Sequence, residues 1–193
     1  MPGATVRRGE RVTLRVAEPE DARFLQRASA EPDLRVPLGS RVRSTEAYDL
    51  GDERGGDDRF VVCLDDTDAN ANGNTDTDTN TNADADGAET TRIGAVSVED
   101  ASYKRPELGF WIVPERQGEG YGREAVAEAV DYAFNTYPTP AVGAHAFVFN
   151  EASRDLLESL GFREEGRMRG YTYVDGEHRD AVMYGLLRED WTG

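Results

Sequence analysis

A glycine-rich turn that joins an apolar strand to an amphipathic helix is the feature that most constrains this fold. The strand is predicted at residues 107–113. The helix is predicted at residues 122–136, which carry an apolar stripe at helical spacing: Ala125, Val126, Ala129, Val130, Ala133 and Phe134. Gly118, Gly120 and Gly122 lie at the junction. Backbone N–H groups without helical partners point into such a turn, and the helix dipole adds positive potential. We therefore predict an anion-binding site at this junction.

The glycine spacing distinguishes this turn from two common nucleotide-binding loops. A Walker A loop requires a lysine after its last glycine, where this sequence has Arg123. Dinucleotide-binding folds require a GxGxxG spacing, whereas the three glycines here stand two residues apart. The turn is therefore neither a Walker A loop nor a dinucleotide-binding loop.

The remaining periodicity predicts an α+β fold, with one mixed, mostly antiparallel sheet and helices on both faces. At 193 residues the chain fits a single domain. Helices are predicted to begin at Pro19, Gly122 and Asn150, with a further short helix at residues 45–50; Pro32 ends the first and Gly161 the last. Strands are predicted at residues 12–16, 59–64, 92–98, 107–113 and 141–149, and in a hairpin, 168–174 with 181–187, turned at Asp175-Gly176.

Residues 65–91 consist almost entirely of Asp, Asn, Thr, Ala and Gly, so we predict a disordered acidic insert between two antiparallel strands. Alternating acidic residues before Gly87 also suggest a calcium loop. In that register Ile93 stands where an EF-hand needs a bidentate glutamate. A solvated insert explains the composition with fewer assumptions.

The charge balance excludes several classes of function. The chain has 22 basic and 38 acidic residues, a formal net charge of −16, which argues against nucleic-acid binding. Lys104 is the one lysine, so we predict a salt-adapted protein from a halophile; the alternative is an ordinary acidic protein with a biased insert.

The lone Cys63 excludes a disulfide within the chain and a cysteine-based metal site. No apolar stretch suits a signal peptide or a membrane span, so we predict a cytoplasmic protein.

Several motifs in order resemble one known family, the GNAT N-acetyltransferases, and within it the branch that acetylates ribosomal-protein N-termini. The resemblance covers residues 11–191 apart from the insert. Its motifs are Leu108-Gly-Phe-Trp-Ile112, Gln117-x-x-Gly120-x-Gly122, Asn150-x-x-Ser153, Leu160-Gly-Phe162, Gly166-x-x-Arg169, Asp175-Gly176, Asp180 and Tyr184-x-Leu186-Leu187.

The resemblance implies acetyl-CoA as co-substrate and no metal. It implies that the backbone of Trp111, Ile112 and Val113 binds the pantetheine arm, and that an N–H of Ile112 or Val113 polarises the thioester carbonyl. It implies that Asn150 hydrogen-bonds the pantetheine and that Ser153 lies near the sulfur. The residues expected at the phosphates are Gln117, Gly118, Gly120, Gly122 and Arg123, with Arg116 at a further CoA phosphate.

Amine attack on a thioester needs a base for the amine proton and an N–H donor for the carbonyl oxygen. Glu107, at the start of the central strand, is the candidate base, acting directly or through water; the alternative is an ordinary strand-end carboxylate. Relatives carry a tyrosine as the thiol's acid where this chain has Leu156 and Leu157, so Ser153 is the candidate substitute. A thiol titrates near pH 8.5, so the thiolate needs little help to leave.

Other residues have weaker claims. We interpret His145 and His178 as structural, because no carboxylate spacing makes them metal ligands. Two interpretations are open for Tyr171, Tyr173 and Tyr184: they line an amine pocket, or they pack as aromatic residues of strands. Packing is favoured for Tyr184.

The expected function is acetyl transfer to a protein N-terminus or a small amine. The alternative is an inactive acyl-CoA-binding sensor or partner subunit. Monomer and homodimer remain open, and no nucleic-acid or membrane partner is expected.

Overall fold

The computed structural model describes residues 3–45, 57–64, 81–83, 89–101 and 104–193. Its helices are α1 (Ala22–Ala30), α2 (Pro32–Leu38), α3 (Tyr121–Thr136) and α4 (Glu151–Ser159). Its strands are β1 (Thr5–Arg8), β2 (Val12–Val16), β3 (Asp58–Leu64), β4 (Thr81–Ala83), β5 (Glu89–Glu99), β6 (Glu107–Ile112), β7 (Ala141–Phe147), β8 (Arg163–Val174) and β9 (Glu177–Leu187).

These nine strands form one mixed sheet in the order β1-β2-β3-β5-β6-β7-β9-β8, and β4 pairs with β5. Every described pair is antiparallel except β6 with β7. The prediction of a mixed, mostly antiparallel sheet is therefore confirmed.

Helices cover both faces of the sheet, as two adjacent residues of β6 show. Trp111 packs against Phe24 of α1, with ring centroids 5.2 Å apart. Its neighbour Ile112 faces the start of α3, where a Cβ built on Gly122 would lie 3.4 Å from the Ile112 side chain. Successive side chains of a strand point to opposite faces. Thus α1 and α3 lie on opposite sides, and a buried apolar cluster spans the sheet between them.

The parallel pair β6 and β7 stays together over a short length only. Glu107 pairs with Gly143 and Leu108 with Ala144, and no further register pair joins these two strands in the described chain. Beyond these residues β6 continues to pair with β5, and β7 with β9. The sheet therefore opens into a gap between β6 and β7.

Most predicted elements are confirmed, including the antiparallel pairing across the insert, from Asp58 with Val98 to Leu64 with Thr91. Gly161 ends α4 with a φ of 89°, as expected of a left-handed cap. The structure adds β1 and the helix α2, which begins at Pro32. Pro32 was predicted as a stop only, but proline also suits the first turn of a helix.

Two parts of the predicted disordered insert are strands: β4, and the first residues of β5. The rest of it, residues 65–80 and 84–88, lies outside the described residues, as do residues 46–50 of the short predicted helix. Within the described ranges, no helix has both the length and the apolar composition needed to cross a bilayer.

Candidate active site

A cavity of about 440 Å³ extends from Phe110, Trp111 and Ile112 of β6 to the glycine-rich turn. The strand end, the turn, α2 and the first turns of α4 form its wall. Ten of the eleven residues predicted for the cofactor line it: Trp111, Ile112, Arg116, Gln117, Gly118, Gly120, Gly122, Arg123, Asn150 and Ser153. The structure therefore brings these residues to one surface.

The glycine-rich turn has the conformation of an anion-binding loop. Gly120 is the N-cap of α3 and has a φ of 87°, a left-handed conformation that side chains rarely adopt. The first N–H groups of α3 have no helical acceptors, so they remain available to a ligand. Arg116 and Arg123 line the same cavity, and neither is ion-paired with a carboxylate in the described chain. Together these groups favour a phosphate.

Gln117 supports the turn through its own side chain. Its Nε2 donates a hydrogen bond to the backbone carbonyl oxygen of Ile112 at 2.8 Å, and its backbone N–H donates to Pro114 at 3.3 Å. The side chain therefore ties the end of β6 to the loop that follows it. Gln117 lies at the predicted site, where these two donors bind the protein rather than a ligand.

The turn between β1 and β2 also supports the glycine-rich turn. Glu124 on α3 accepts hydrogen bonds from the backbone N–H groups of Arg11, at 2.6 Å, and Val12, at 3.0 Å. The Arg11 guanidinium donates to Glu124 and to the carbonyl oxygen of Glu119, within the glycine-rich turn. These contacts hold the turn against the sheet.

The directions of the backbone N–H groups along β6 distinguish the two predicted thioester donors, Ile112 and Val113. The N–H of Val113 bonds to the carbonyl oxygen of Ile93 on β5 at 2.8 Å. In an antiparallel pair this direction alternates, so the N–H groups of Phe110 and Ile112 point away from β5, toward the gap. The prediction of Val113 as a donor is wrong because its N–H is used within the sheet, and Val113 does not line the cavity. Ile112 remains.

A second cavity, of about 350 Å³, lies beside the first. Its wall includes Glu107 and His145, with Ser97, Glu99 and Arg59 from the neighbouring strands. The two cavities share six lining residues: Pro37, Leu38, Phe110, Trp111, Asn150 and Ser153. A molecule in one cavity can therefore reach a molecule in the other at this common wall.

Asn150 and Ser153 are positioned at the common wall by the start of α4. The Asn150 side chain is the N-cap and accepts a hydrogen bond from the Ser153 backbone N–H at 3.2 Å. Its Nδ2 donates to the carbonyl oxygen of Pro37 at 3.3 Å, which links α4 to α2. Ser153 is half-buried and borders both cavities.

The positions where relatives carry a tyrosine are apolar in the structure as well as in the sequence. Leu157 is fully buried in the core, and Leu156 lines the first cavity. Neither provides a hydroxyl group, so among the predicted residues only Ser153 offers one there.

The structure places His145 of β7 directly against Glu107 of β6. The Nδ1 atom of the imidazole forms a short hydrogen bond with a Glu107 carboxylate oxygen, and both side chains are half-buried. This hydrogen bond is the main cause that lowers the pKa of Glu107, against the effect of its burial. The sequence predicts a structural role for His145, whereas the structure places it in contact with the candidate base. The alternation along β7 indicates only that His145 shares a face with Gly143; the contact with Glu107 follows from the pairing of Gly143 with Glu107 in the sheet.

The tyrosines divide between packing and the cavity edge. Tyr184 is fully buried, and its hydroxyl donates to Glu158 at 2.9 Å, which confirms packing. Tyr171 lies edge-on to His145, with ring centroids 5.3 Å apart. Tyr173 is exposed and contacts His178 on the hairpin, away from both cavities.

Comparison with known proteins gives a family match and several relatives. The family model described as acetyltransferase (GNAT) domain matches residues 11–163. YdaF of Bacillus subtilis (strain 168), provisionally named a ribosomal N-acetyltransferase, is 39% identical over 94 residues, 49% of this chain and 51% of YdaF. The ribosomal protein uS5-alanine N-acetyltransferase of Escherichia coli (strain K12) is 35% identical over 96 residues, 50% of each chain.

The match thus spans about half the length of these two relatives. A crystal structure of spermidine N-acetyltransferase from Vibrio cholerae, in complex with CoA and spermine, has a TM-score of 0.73 at 23% identity. It covers 94% of this chain and 98% of that one, and the likeness is one of fold.

Proposed function

The chain belongs to the GNAT acetyltransferase family, and on that premise we propose that it transfers acetyl from acetyl-CoA to a primary amine by direct attack in a ternary complex. The observation that carries the proposal is the pair of cavities that meet at Phe110, Trp111, Asn150 and Ser153. One contains an anion-binding turn and the other contains Glu107 with His145. An amine in the second cavity faces a thioester placed in the first.

The first cavity fits the chemistry of acetyl-CoA. The turn around Gly120, with Arg116 and Arg123, offers N–H donors and positive charge for the pyrophosphate. The β6 edge that faces the gap offers backbone groups for the amides of the pantetheine arm. The Ile112 N–H is the donor we assign to the thioester carbonyl oxygen, and acetyl-CoA supplies that thioester when bound.

The second cavity has a mixed charge, which bears on the acceptor. Glu99 and Glu107 contribute carboxylates, and Arg43 and Arg59 contribute guanidinium groups. A polyamine carries only positive charge and is favoured by a uniformly acidic wall. A peptide N-terminus carries an amine beside carbonyl oxygens, so both signs of charge in the wall suit it. We therefore propose a protein N-terminal amine as the acceptor, with a small-molecule amine as the second choice.

The names of two relatives support this choice in part. YdaF and the uS5-alanine enzyme are named for ribosomal proteins. The fold neighbour from Vibrio cholerae is named for spermidine, so the fold accommodates more than one type of amine.

Titration of acetyl-CoA into the protein at high salt, with a free-thiol assay over an amine panel, tests the proposal. The panel compares an alanine-initiated peptide, the same peptide with a blocked N-terminus, and spermidine. Gly120→Glu should abolish binding because its carboxylate enters the anion site. Gly176→Glu is the matched control, since Gly176 has a similar φ, 84°, at the hairpin tip with nothing within 4 Å. Absence of acetyl-CoA binding by the folded wild type contradicts the proposal.

A second candidate is an inactive acyl-CoA-binding sensor or partner subunit. It is favoured by Leu156 and Leu157, which stand where relatives have an acid. Acetyl-CoA binding without CoA release from any amine in the panel would favour this candidate.

We further propose a cytoplasmic, salt-adapted protein acting as a monomer or homodimer. The support is the net charge of −16 with a single lysine. Activity that is highest in molar potassium chloride, and a mass measured in that salt, test these points.

A further inference from the structure

We infer that His145 is the catalytic base that takes the proton from the acceptor amine, and that Glu107 is a positioning residue that holds the imidazole in the required tautomer. The inference rests on the proposed acetyl transfer and changes the role of Glu107 within it. The hydrogen bond between the two side chains is the first observation.

The chemistry of the pair decides which nitrogen carries the proton. An ionised carboxylate can only accept hydrogen bonds, so the neutral imidazole must donate from Nδ1 to Glu107. Its Nε2 then holds the lone pair. The lowered pKa of Glu107 keeps this carboxylate ionised near neutral pH.

The position of His145 leaves Nε2 usable. No described group forms a hydrogen bond with that atom, and two aromatic rings, Phe147 and Tyr171, contact the imidazole edge-on. His145 lines the second cavity, which we assign to the acceptor amine, and not the first cavity, which we assign to acetyl-CoA. His145 follows Gly143 by two residues, so its side chain points to the same face of the sheet as position 143, which pairs with Glu107. At this point β6 and β7 begin to separate.

An imidazole suits the task better than this carboxylate does. A general base is most effective when it titrates near the working pH. A carboxylate whose pKa lies below the ordinary value of 4.5 is a weak base for an amine. Histidine ordinarily changes charge between pH 5 and 8.

Several other charged groups surround the pair and affect its titration. Lys104 stabilises the charge on Glu107, and Asp100 opposes it. Glu99 on β5, Arg59 on β3 and Arg43 after α2 line the same cavity. The Tyr171 ring on β8 packs against the imidazole. Arg105, ion-paired with Glu165, lies against Gly143 of β7. The pH dependence therefore has to be compared among variants that leave these groups unchanged.

The proton and electron balance of the step is complete. The lone pair of the neutral amine forms a C–N bond to the thioester carbon, and an amine proton passes to Nε2 of His145. The C–S bond breaks and its electron pair stays on the sulfur. The thiolate takes a proton from the Ser153 hydroxyl, and the imidazolium returns a proton to Ser153 through water, which yields the acetylated amine, CoA thiol and neutral His145.

The free protein offers a test that needs no turnover. It contains two histidines, so His178→Gln identifies the His145 signals in a ¹⁵N spectrum of the imidazoles. We expect neutral His145 to be protonated at Nδ1, and Glu107→Ala to shift it to a mixture of tautomers. A wild-type His145 protonated at Nε2 would overturn the inference.

Kinetics with a single acceptor test the two roles. General base catalysis is worth about 10² to 10⁴ in rate, so His145→Gln should lower kcat about 100-fold or more and Glu107→Gln about tenfold. The pH profile of kcat should differ between the wild type and His145→Gln, and added imidazole should restore activity to His145→Ala. Acetyl-CoA affinity should stay unchanged in each variant, and His178→Gln should behave as the wild type.

Two outcomes overturn the inference in different ways. A His145→Gln variant with near wild-type kcat, beside a Glu107→Gln variant without activity, assigns the base to Glu107. A wild type that releases no CoA with any amine overturns the proposed transfer itself, and the catalytic role with it.

Discussion

The side-chain amide of Gln117 donates a hydrogen bond to the backbone carbonyl oxygen of Ile112, 2.8 Å away. This contact closes the five-residue loop between the end of β6 and the glycine-rich turn. It also occupies a carbonyl group that faces the gap between β6 and β7. The conformation of the phosphate-binding turn and the position of the proposed thioester donor are thereby linked.

Replacing Gln117 should therefore weaken acetyl-CoA binding without unfolding the protein. A hydrogen bond contributes about 1 kcal/mol net, so we expect Gln117→Ala to raise the Kd about fivefold, measured by titration calorimetry. Gln117→Glu should raise it further, because it removes the donor and places a negative charge near the phosphates. Gln26→Ala is the matched control, since Gln26 on α1 donates a hydrogen bond to the carbonyl oxygen of Arg43 and does not line the cofactor cavity. An unchanged Kd in Gln117→Glu would contradict this role.

Removal of the Ser153 hydroxyl should affect turnover more than binding. Ser153 borders both cavities, and its backbone N–H, not its hydroxyl, caps against Asn150. Since a thiol titrates near pH 8.5, the leaving thiolate needs modest help, and we expect Ser153→Ala to lower kcat about tenfold. Ser153→Thr, which keeps a hydroxyl, should retain most activity. Equal kcat values for the alanine variant and the wild type would exclude Ser153 as the acid.

The hydrogen bond from the Tyr137 hydroxyl to Asp58 should make stability depend on alkaline pH. Burial, together with this hydrogen bond and the Asp58 charge, raises the pKa of Tyr137 above the ordinary value of 10.0. Because the unfolded chain releases this proton first, the stabilisation is complete below pH 10 and is lost as the pH rises above it. Tyr137→Phe should lower the free energy of unfolding by about 1 kcal/mol at pH 8.

Urea unfolding of the wild type and Tyr137→Phe at pH 8 and pH 11 measures this effect. The difference between the two proteins should shrink at pH 11. Tyr173→Phe is the control, since Tyr173 is exposed on the hairpin. A difference that grows with pH would contradict the assignment of the hydroxyl as the donor.

The parts of the site that depend on neighbouring residues could be predicted from the sequence. Positive φ at Gly118 and Gly120, the N-cap at Asn150 and the left-handed cap at Gly161 follow from local backbone requirements. The strand before the turn and the stripe on α3 follow from periodicity, which is also local.

The pairing of distant strands could not be predicted to the same detail. His145 and Glu107 lie 38 residues apart, and they meet only because β7 pairs with β6 in parallel through Gly143. A shift of one residue in that register would place His145 on the other face. The sequence contains the alternation of each strand but not their relative register.

Val113 failed as a donor for a related reason. A strand's sequence shows which side chains share a face, but not which N–H groups point to which neighbouring strand. That direction follows from the pairing of Val113 with Ile93. The first turn of α2 was missed because Pro32 ends one helix and begins the next, and a proline signals both events equally well.

Asn150 should combine a structural role with a binding role, and two variants separate them. Asn150→Ala removes the N-cap of α4 and the bond to the Pro37 carbonyl oxygen, so we expect the free energy of unfolding to fall by about 1 kcal/mol. Asn150→Asp keeps the cap, because a carboxylate still accepts from the Ser153 N–H, but it cannot donate to Pro37. The aspartate variant should therefore lose less stability than the alanine variant and yet bind acetyl-CoA more weakly, since α2 is no longer linked to α4 at the common wall. Thermal unfolding and calorimetry on both variants measure the two effects, and equal losses of stability would show that the bond to Pro37, rather than the cap, stabilises the helix.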